Sequence, residues 1–325
     1  MKRILIPVLV FVAAMSVSTW SHATTLLGDA ALYNVFVFDD MNVGSDTQGR
    51  VAVGGNFTAA SYSIGTLSSP AQYSLVTGGN VVYGPGSIRH GGIYSGGNVT
   101  LKNYSVAGDV VARGTVTTIN GGTVTGTVQA GSSLAGPVNF TAAEIYLKGV
   151  SYDLSHGVMN GTTTVSPWHA ITLSGSNAVN SFYLSGTDLA NASSLTFNFA
   201  SDKIGIVNVS GTDCDFSGFG FFGGGLAENI LFNFYEAENL TIGSIGVRGS
   251  ILAPYADITF NSGVVHGSVI AESIVGGGQF NQNLFDHEIP GGSQPVPEPA
   301  TMLLFGSGLA GLAATRLRKG GKMPR

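Results

Sequence analysis

Residues 49–57 read GRVAVGGNF and residues 92–99 read GIYSGGNV, so a glycine, a short apolar run and a Gly-Gly-Asn corner occur twice in the same order. Shorter versions of the run follow a glycine at residues 108–112 (GDVVA), 126–130 (GTVQA), 249–253 (GSILA) and 267–271 (GSVIA). The leading glycines recur at nearly constant intervals, from Gly92 to Gly108 to Gly126 and again from Gly249 to Gly267. A short recurrence of this kind is typical of one coil of a β-solenoid.

The recurrence predicts a mainly β fold. We predict an irregular right-handed parallel β-solenoid, in which each coil pairs with the next and inward Val and Ile side chains stack into one core. Glycine and asparagine are expected to supply corners with positive φ. A β-sandwich also uses many short strands, and it is the alternative architecture.

One segment departs from the β pattern. Its apolar residues recur at helical spacing, at Phe140, Ala143, Leu147, Val150 and Leu154. Glu144 and Lys148 form an i,i+4 pair, and Asn139 and Thr141 offer N-cap chemistry. We therefore predict a helix over residues 140–155, packed beside the solenoid. A shorter helix is predicted over residues 29–33, and further strands over residues 170–173, 181–184, 194–199, 204–209 and 229–234.

The N-terminal segment, residues 1–23, is typical of a secretory signal peptide. Lys2 and Arg3 form a positive start, residues 4–17 are apolar, and Ser21-His22-Ala23 places small residues at positions −3 and −1. Cleavage is predicted between Ala23 and Thr24.

The C-terminal segment carries a second signal. Residues 291–296 have the composition of a linker, and Pro297, Glu298 and Pro299 follow them. Residues 302–314 are apolar or small, and five Lys or Arg residues lie between positions 316 and 325. This order predicts a short transmembrane helix within residues 297–325, with its basic end cytoplasmic. A C-terminal anchor that is never removed is the alternative.

This tail, with VPEPA at residues 296–300, resembles the PEP-CTERM sorting signal. The resemblance implies a Gram-negative bacterium that makes exopolysaccharide, and an exosortase that recognises this tail and removes it near its sorting signal, Pro297, Glu298 and Pro299. Residues 24–290 resemble the choice-of-anchor A family, through LGDAALYNVFVF at 27–38, SDTQGRVAVGGN at 45–56, NILFNF at 229–234 and GSILAPYA at 249–256. That resemblance implies a surface-exposed adhesive domain with no established reaction.

The charge of the exported part argues against one class of partner. Residues 24–299 keep seven Lys or Arg residues and all 19 Asp and Glu residues, a net charge of −12. Nucleic-acid binding is not expected, because it requires clustered Lys and Arg. Cys214 is the only cysteine, so no intramolecular disulfide is available. Its neighbours Asp213 and Asp215 disfavour a thiolate, and a packed side chain is predicted.

Hard oxygen ligands are dense in one short segment. Asp39, Asp40 and Asp46, with Asn42 and Ser45 between them, are the kind of ligand that Ca²⁺ prefers. These residues are the candidate calcium site, and no other metal or cofactor is expected. The alternative is a polar turn whose Asp side chains cap backbone N–H groups.

Three further groups of residues are candidates for function. Asp213 and Asp215 share a strand face, and with Arg248 or Asp257 they could serve a carbohydrate-active enzyme. The threonines at residues 115–117, 123–125 and 127 could form an outward flat ladder that orders water or packs on sugars, or reflect β-propensity alone. The aromatic cluster at Phe216, Phe219, Phe221 and Phe222 fits either an exposed binding loop or a plug of the core.

Together these features predict an exported adhesive or structural protein, not an enzyme. It would pass through the inner membrane, held transiently by its C-terminal helix, and reach the outer surface or extracellular matrix. Its expected partners are an exosortase and an extracellular polysaccharide or cell-surface partner, contacted by many weak interactions. The alternatives are a β-helix enzyme acting on exopolysaccharide and a calcium-binding envelope scaffold.

Overall fold

The structure is a computed structural model that describes residues 25–288, and it is mainly β. The first fourteen strands, numbered in chain order, are β1 Val35–Val37, β2 Met41–Val43, β3 Asp46–Thr47, β4 Val51–Val53, β5 Phe57–Ala59, β6 Tyr62–Ile64, β7 Tyr73–Thr77, β8 Val81–Tyr83, β9 Gly86–Ile88, β10 Gly92–Ser95, β11 Val99–Val106, β12 Val110–Ala112, β13 Val116–Val124 and β14 Val128–Gln129. These strands precede the helix α1, Phe140–His156.

The second half of the chain contributes fourteen more strands. They are β15 Thr162–Val165, β16 Ala170–Ser174, β17 Val179–Ser185, β18 Ser194–Asn198, β19 Ile204–Ser210, β20 Asp213–Ser217, β21 Gly220–Gly223, β22 Ile230–Phe234, β23 Asn239–Gly243, β24 Ile245–Arg248, β25 Ser250–Phe260, β26 Gly263–His266, β27 Val269–Gly276 and β28 Gln279–Asn281. A short helix α2, Gly186–Ala190, and two 3-10 helices, Gly28–Leu32 and Ala227–Asn229, complete the described elements.

The strands stack as parallel coils with three faces. On the first face the order is β17-β19-β22-β25-β27-β1-β4-β7-β10-β12-β14. On the second it is β20-β23-β25-β27-β2-β5-β8-β11-β13. The third runs from β24 through β26, β28, β3, β6 and β9 to β11 and β13, and β16, β18 and β21 form a separate parallel group with β15 antiparallel to β16. The parallel solenoid is confirmed.

The first coil lies inside the stack and not at its end. Strand β1 pairs with β4 on one side and with β27 on the other, so the last coil of the chain packs on the first. The backbone N–H of Leu26 donates to the carbonyl of His287 at 2.7 Å, which holds the two ends of the described chain together. The coils from β1 to β14 therefore run from the middle of the solenoid to one end. Helix α1 then carries the chain back to the other end, and the coils from β17 to β27 run from there to the middle.

The central strands of the first face are buried on both sides. Their inward side chains, such as Val53 and Ile93, belong to the core inside the coils, and their outward side chains, such as Ala52 and Val76, pack in a second apolar layer beneath α1. This burial explains why β1, β4 and β12 are apolar at every position instead of alternating.

Helix α1 begins and docks through polar contacts. The Asn139 side chain accepts a hydrogen bond from Ala142 N–H at 3.2 Å, as predicted for an N-cap, and Lys148 pairs with Glu144 at 2.6 Å. On the buried side, Asn233 Nδ2 donates to the carbonyl of Ser151 at 2.8 Å, and the Ser151 hydroxyl donates to Asn233 Oδ1 at 2.6 Å. These bonds tie the helix to the first face.

The predicted elements can be compared with those observed. The helix predicted over residues 140–155 is confirmed as α1, and the segment predicted at 29–33 is a 3-10 helix one residue earlier. The five later strands predicted are β16, β17, β18, β19 and β22. The signal peptide with its Ala23 and Thr24 cleavage site, the linker and the tail with Pro297, Glu298 and Pro299 lie outside the described residues.

Between residues 25 and 288, no helix combines the length and hydropathy that a membrane crossing needs.

Candidate contact surface

The second face carries one continuous outward row of side chains, which we call the flat face row. Strand register places nine residues in line across nine strands: Asp215, Thr241, Thr259, Val275, Asn42, Thr58, Val82, Thr100 and Thr117. Strands lie about 4.8 Å apart, so the row is roughly 38 Å long. Polar and apolar tips are interspersed on it, and a single charge, Asp215, lies at one end.

The flat face row is exposed because strand alternation buries its neighbours. In β5 the flanking residues Phe57 and Ala59 point into the core while Thr58 is exposed, and in β8 Val81 and Tyr83 are buried around Val82. Val82 retains 50% of its surface and Val275 48%. This arrangement offers hydroxyl and methyl groups on a regular lattice.

A second row runs along the corner between the first and second faces and is held by side-chain hydrogen bonds. The Asp40 Oδ1 atom accepts from Asn56 N–H at 2.6 Å, Asn56 Oδ1 from Asn80 N–H at 3.0 Å, Asn80 Oδ1 from Asn98 N–H at 2.8 Å, and Asn98 Oδ1 from Thr115 N–H at 2.9 Å. We call these five residues the corner ladder. Each side chain satisfies the corner backbone of the next coil, which keeps the edge of the flat face straight.

The corner ladder depends on glycines for their size. A Cβ atom at Gly78 would lie 2.1 Å from the carbonyl oxygen of Gly54, and one at Gly96 would lie 2.1 Å from that of Gly78. Neither glycine has positive φ, nor do Asn56, Asn80 and Asn98. The expectation that Gly and Asn supply positive φ is therefore wrong at these corners, because close coil-to-coil approach is the constraint here. It is confirmed at other corners, such as Gly84 and Asn103.

One rung of the corner ladder was missed in the sequence. Residues 78–80 also read Gly-Gly-Asn, but the interval from Asn56 to Asn80 is longer than the interval from Asn80 to Asn98. The longer coil breaks the apparent period. A search for the Gly-Gly-Asn triplet itself, without a fixed period, would have found residues 54–56, 78–80 and 96–98.

The structure separates the predicted calcium ligands. Asp40 is the first member of the corner ladder, and Asp46 begins β3 on the third face, opposite Ser63. Burial, followed by the carboxylates of Asp40 and Asp257, raises the pKa of Asp39, and burial raises the pKa of Asp46. Across residues 25–288 no three His, Cys, Asp or Glu side chains are grouped as a metal site. Calcium binding stays a prediction.

The candidate enzyme residues are also distributed over two faces. Asp213 and Asp215 share one face of β20, as predicted, and this face points outward and is exposed. Asp257 is in register with Asn239, which is in register with Asp213, so the two carboxylates are two strands apart, about 9.6 Å. Arg248 lies on the third face and donates to the carbonyl of Gly223 at 3.1 Å. The structure does not bring Arg248 to the carboxylates.

The third face has a cleft where its two groups of strands meet. It is about 550 Å³ in volume and is lined by Arg248, His266, Glu228 and the loop that follows β21. Burial, followed by the charge of Arg248, lowers the pKa of His266. Arg248 spans the cleft and donates to the backbone carbonyls of Gly223 and Gly225, so its guanidinium group links the two groups of strands.

Cys214 and the aromatic cluster belong largely to the core. Cys214 is buried beside the carbonyl of Gly211, and burial, followed by Asp213 and Glu236, raises the pKa of its thiol to about 11. The prediction of a packed, unreactive cysteine is consistent with both facts. Phe216 is fully buried and lies 5.0 Å from Phe232 between ring centroids. The cluster plugs the core, and only Phe222 is largely exposed.

The threonines predicted to form one ladder do not stack on one another. They belong to a single coil, so Thr117 lies on the flat face row, Thr115 in the corner ladder and Thr123 on the third face. Thr127 donates to Asp109 Oδ1 through its backbone N–H at 2.7 Å and its hydroxyl at 2.9 Å. A flat ladder does exist, but residues from nine different strands build it.

Solved structures with similar coordinates include ice-binding proteins. One is from the Antarctic ascomycete Antarctomyces psychrotrophicus, with 13% identity, coverage of 79% of this chain and 98% of that chain, and a TM-score of 0.27. Another is from an Arctic yeast, with 14% identity, coverage of 85% and 97%, and a TM-score of 0.33. No curated protein is significantly similar in sequence.

Two family models match the sequence in separate segments. Residues 295–319 match the PEP-CTERM protein-sorting motif, in agreement with the resemblance seen at the C-terminus. Residues 26–282, which include every strand described above, match the model described as "Putative Ice-binding-like adhesive domain". The chain therefore belongs to this ice-binding-like adhesive domain family.

Proposed function

We propose that this exported surface protein, sorted through its PEP-CTERM motif, adheres to extracellular polysaccharide by its flat face row. The adhesive family and the sorting motif point to the cell surface. The observation that carries the finer proposal is the unbroken register of nine outward side chains from Asp215 to Thr117. We further propose that the protein resides on the outer surface or in the matrix after its passage through the inner membrane.

The flat face row suits a long, repetitive partner. Its side chains repeat at the strand spacing of about 4.8 Å and are nearly all uncharged, so they contact a polymer without requiring an ionic group. Each hydroxyl or methyl contact is weak, and many of them in line give useful retention. The corner ladder keeps that spacing regular from Asn42 to Thr117, because its Asp and Asn side chains each accept a hydrogen bond from the next coil.

A bulky substitution in the middle of the row tests the proposal. Thr58→Tyr raises a ring above an exposed position, so retention of the full chain on exopolysaccharide from the producing strain should fall at least fivefold. Ser105→Tyr is the matched control, because Ser105 is exposed on the third face. Equal retention of the two variants and the unaltered protein would contradict adhesion by this face.

The role of the tail needs a separate experiment. A deletion strain complemented with the full chain should recover attachment and biofilm cohesion, whereas a chain without residues 296–325 should recover less. Equal recovery would mean that the sorting motif is not needed for adhesion.

Binding to ordered water or ice is a second candidate function. The specific observation is that Thr58 and Val82 present methyl and hydroxyl groups side by side on an exposed parallel sheet. If this face binds ice, the purified protein should inhibit ice recrystallisation and Thr58→Tyr should abolish the inhibition. No inhibition by the unaltered protein at millimolar concentration would exclude this candidate.

A further inference from the structure

The two ends of the solenoid are finished differently. At one end, β17 has its outer backbone groups occupied by residues 160–163, which lead into and begin β15. The N–H of Ser181 donates to Asn160 Oδ1 at 2.8 Å, the carbonyl of Ser181 accepts from Gly161 N–H at 3.0 Å, and the carbonyl of Tyr183 accepts from the Thr163 hydroxyl at 2.7 Å. The first-face edge at this end is therefore capped against further pairing.

The opposite end is an open strand edge. Within the described chain β13 pairs only with β11. Val99 N–H donates to the carbonyl of Thr115, and the alternation of a parallel ladder then directs the backbone groups of Val116 and Thr118 away from β11. All nine residues of β13 are exposed or half-buried, and Ile119 keeps 42% of its surface.

This open end also lacks charge. Residues 114–139 contain no Asp, Glu, Lys, Arg or His, although residues 24–299 carry a net charge of −12. Exposed edges in natural proteins are normally protected by Lys, Pro or a covering element. Pro137 is the only proline in residues 114–139, and it lies outside β13. Two copies of the chain can therefore approach each other at this end without the repulsion that acts elsewhere on their surfaces.

We propose that the β13 edge is a self-association site, where it pairs antiparallel with β13 of a second copy. A closed contact between identical edges follows a two-fold axis, which makes the pairing antiparallel. Asn120, Gly121 and Gly122 have positive φ and bend β13, so residues 116–119 form the straight segment that pairs. A two-fold contact uses the β13 edge of both copies and closes on itself, so the product is a dimer.

The association is expected to be weak in dilute solution. The four residues of the straight segment, at about 3.3 Å each, give a strip roughly 13 Å long, and at a width of about 10 Å it buries roughly 130 Å² per copy. Stable complexes bury about 800 Å² per partner. The contact becomes populated when many copies are held on one surface, where their effective concentration is high. This proposal uses a different surface from the flat face row and does not depend on adhesion to polysaccharide.

Cross-linking of the full chain on intact cells tests the proposal. Thr118→Cys places a thiol on the edge, and Thr58→Cys is the matched control on an exposed strand in the middle of the solenoid. Cys214 is buried and contributes equally to both variants. With a short bis-maleimide, Thr118→Cys should give at least fivefold more covalent dimer than Thr58→Cys. Equal yields would overturn the proposal, because they report only random collision.

A second variant guards against a folding artefact. Ile119→Lys in the Thr118→Cys background replaces an exposed side chain, introduces like charges on the two paired segments and should lower the dimer yield at least fivefold, while circular dichroism remains unchanged. An unchanged yield would also overturn the proposal. Thr58→Tyr, which is expected to weaken polysaccharide retention, should cross-link normally through Thr118→Cys, so that failure of one proposal is distinguishable from failure of the other.

Discussion

Replacement of Asn233 by alanine should destabilise the protein by releasing the polar anchor of helix α1. Asn233 is fully buried and makes three hydrogen bonds. Its Nδ2 donates to the carbonyl of Ser151 and to Asn208 Oδ1, both at 2.8 Å, and its Oδ1 accepts from the Ser151 hydroxyl at 2.6 Å. Ser151 and Asn208 are themselves fully buried.

The magnitude follows from the groups left without partners. Each hydrogen bond contributes about 1 kcal/mol net, and a buried polar group that loses its partner costs about 1–3 kcal/mol. Asn233→Ala removes three hydrogen bonds and leaves the buried Ser151 hydroxyl without its acceptor, so the free energy of unfolding should fall by about 3–5 kcal/mol. Ser151→Ala removes one of the same bonds and should cost about 1–2 kcal/mol.

Urea unfolding followed by circular dichroism measures these changes, and hydrogen exchange of the α1 amides shows whether the helix detaches first. Asn42→Ala, an exposed amide on the flat face row, is the control and should change the unfolding free energy by less than about 0.5 kcal/mol. A loss below about 1 kcal/mol for Asn233→Ala would refute the reasoning. So would full additivity of Asn233→Ala and Ser151→Ala, because bonded partners should couple.

Three further outcomes are expected. Asn80→Ala should lower the unfolding free energy by about 0.5–1.5 kcal/mol relative to Asn42→Ala, since it removes the acceptor of Asn98 N–H; equal values would deny the corner ladder a stabilising role. Hydrogen bonds from Thr127 lower the pKa of Asp109, so the ionised carboxylate stabilises the folded protein. This stabilisation is complete above the ordinary pKa of a carboxyl group and is lost as pH falls through the lowered pKa. The urea midpoints of Asp109→Asn and the unaltered protein should therefore differ at pH 6 and converge near pH 2. Because the pKa of Cys214 is raised to about 11, iodoacetamide at pH 8 should alkylate it roughly 100-fold more slowly in the folded protein than in urea, and comparable rates would contradict its burial.

The local features of the fold were predictable because they depend on neighbouring residues. The Asn139 cap and the apolar spacing of α1 mark the helix, and the glycine-led Val and Ile runs mark the coils. The parallel solenoid follows from their recurrence.

The long-range order of the coils was not predictable from the sequence. Nothing near Val35 shows that its two neighbours are Val51 and Val269, because that pairing is decided only when the last coil closes on the first. The sequence also left the role of Asp40 open between a calcium ligand and a cap of backbone N–H groups. A carboxylate that caps the next coil and one that binds a cation look alike in sequence, and only the position of Asn56 N–H distinguishes them.

The meeting of Leu26 with His287 determines how a tethered molecule would stand. An elongated domain tethered at one end can extend away from a surface, whereas one tethered at mid-length has both of its ends beside the surface. The described chain ends beside the central coils, so a tether that continues from residue 288 holds the solenoid at mid-length. The two ends of the solenoid would then lie at the same height above the surface as those of neighbouring molecules. This arrangement favours contacts between neighbouring molecules over contacts with distant partners.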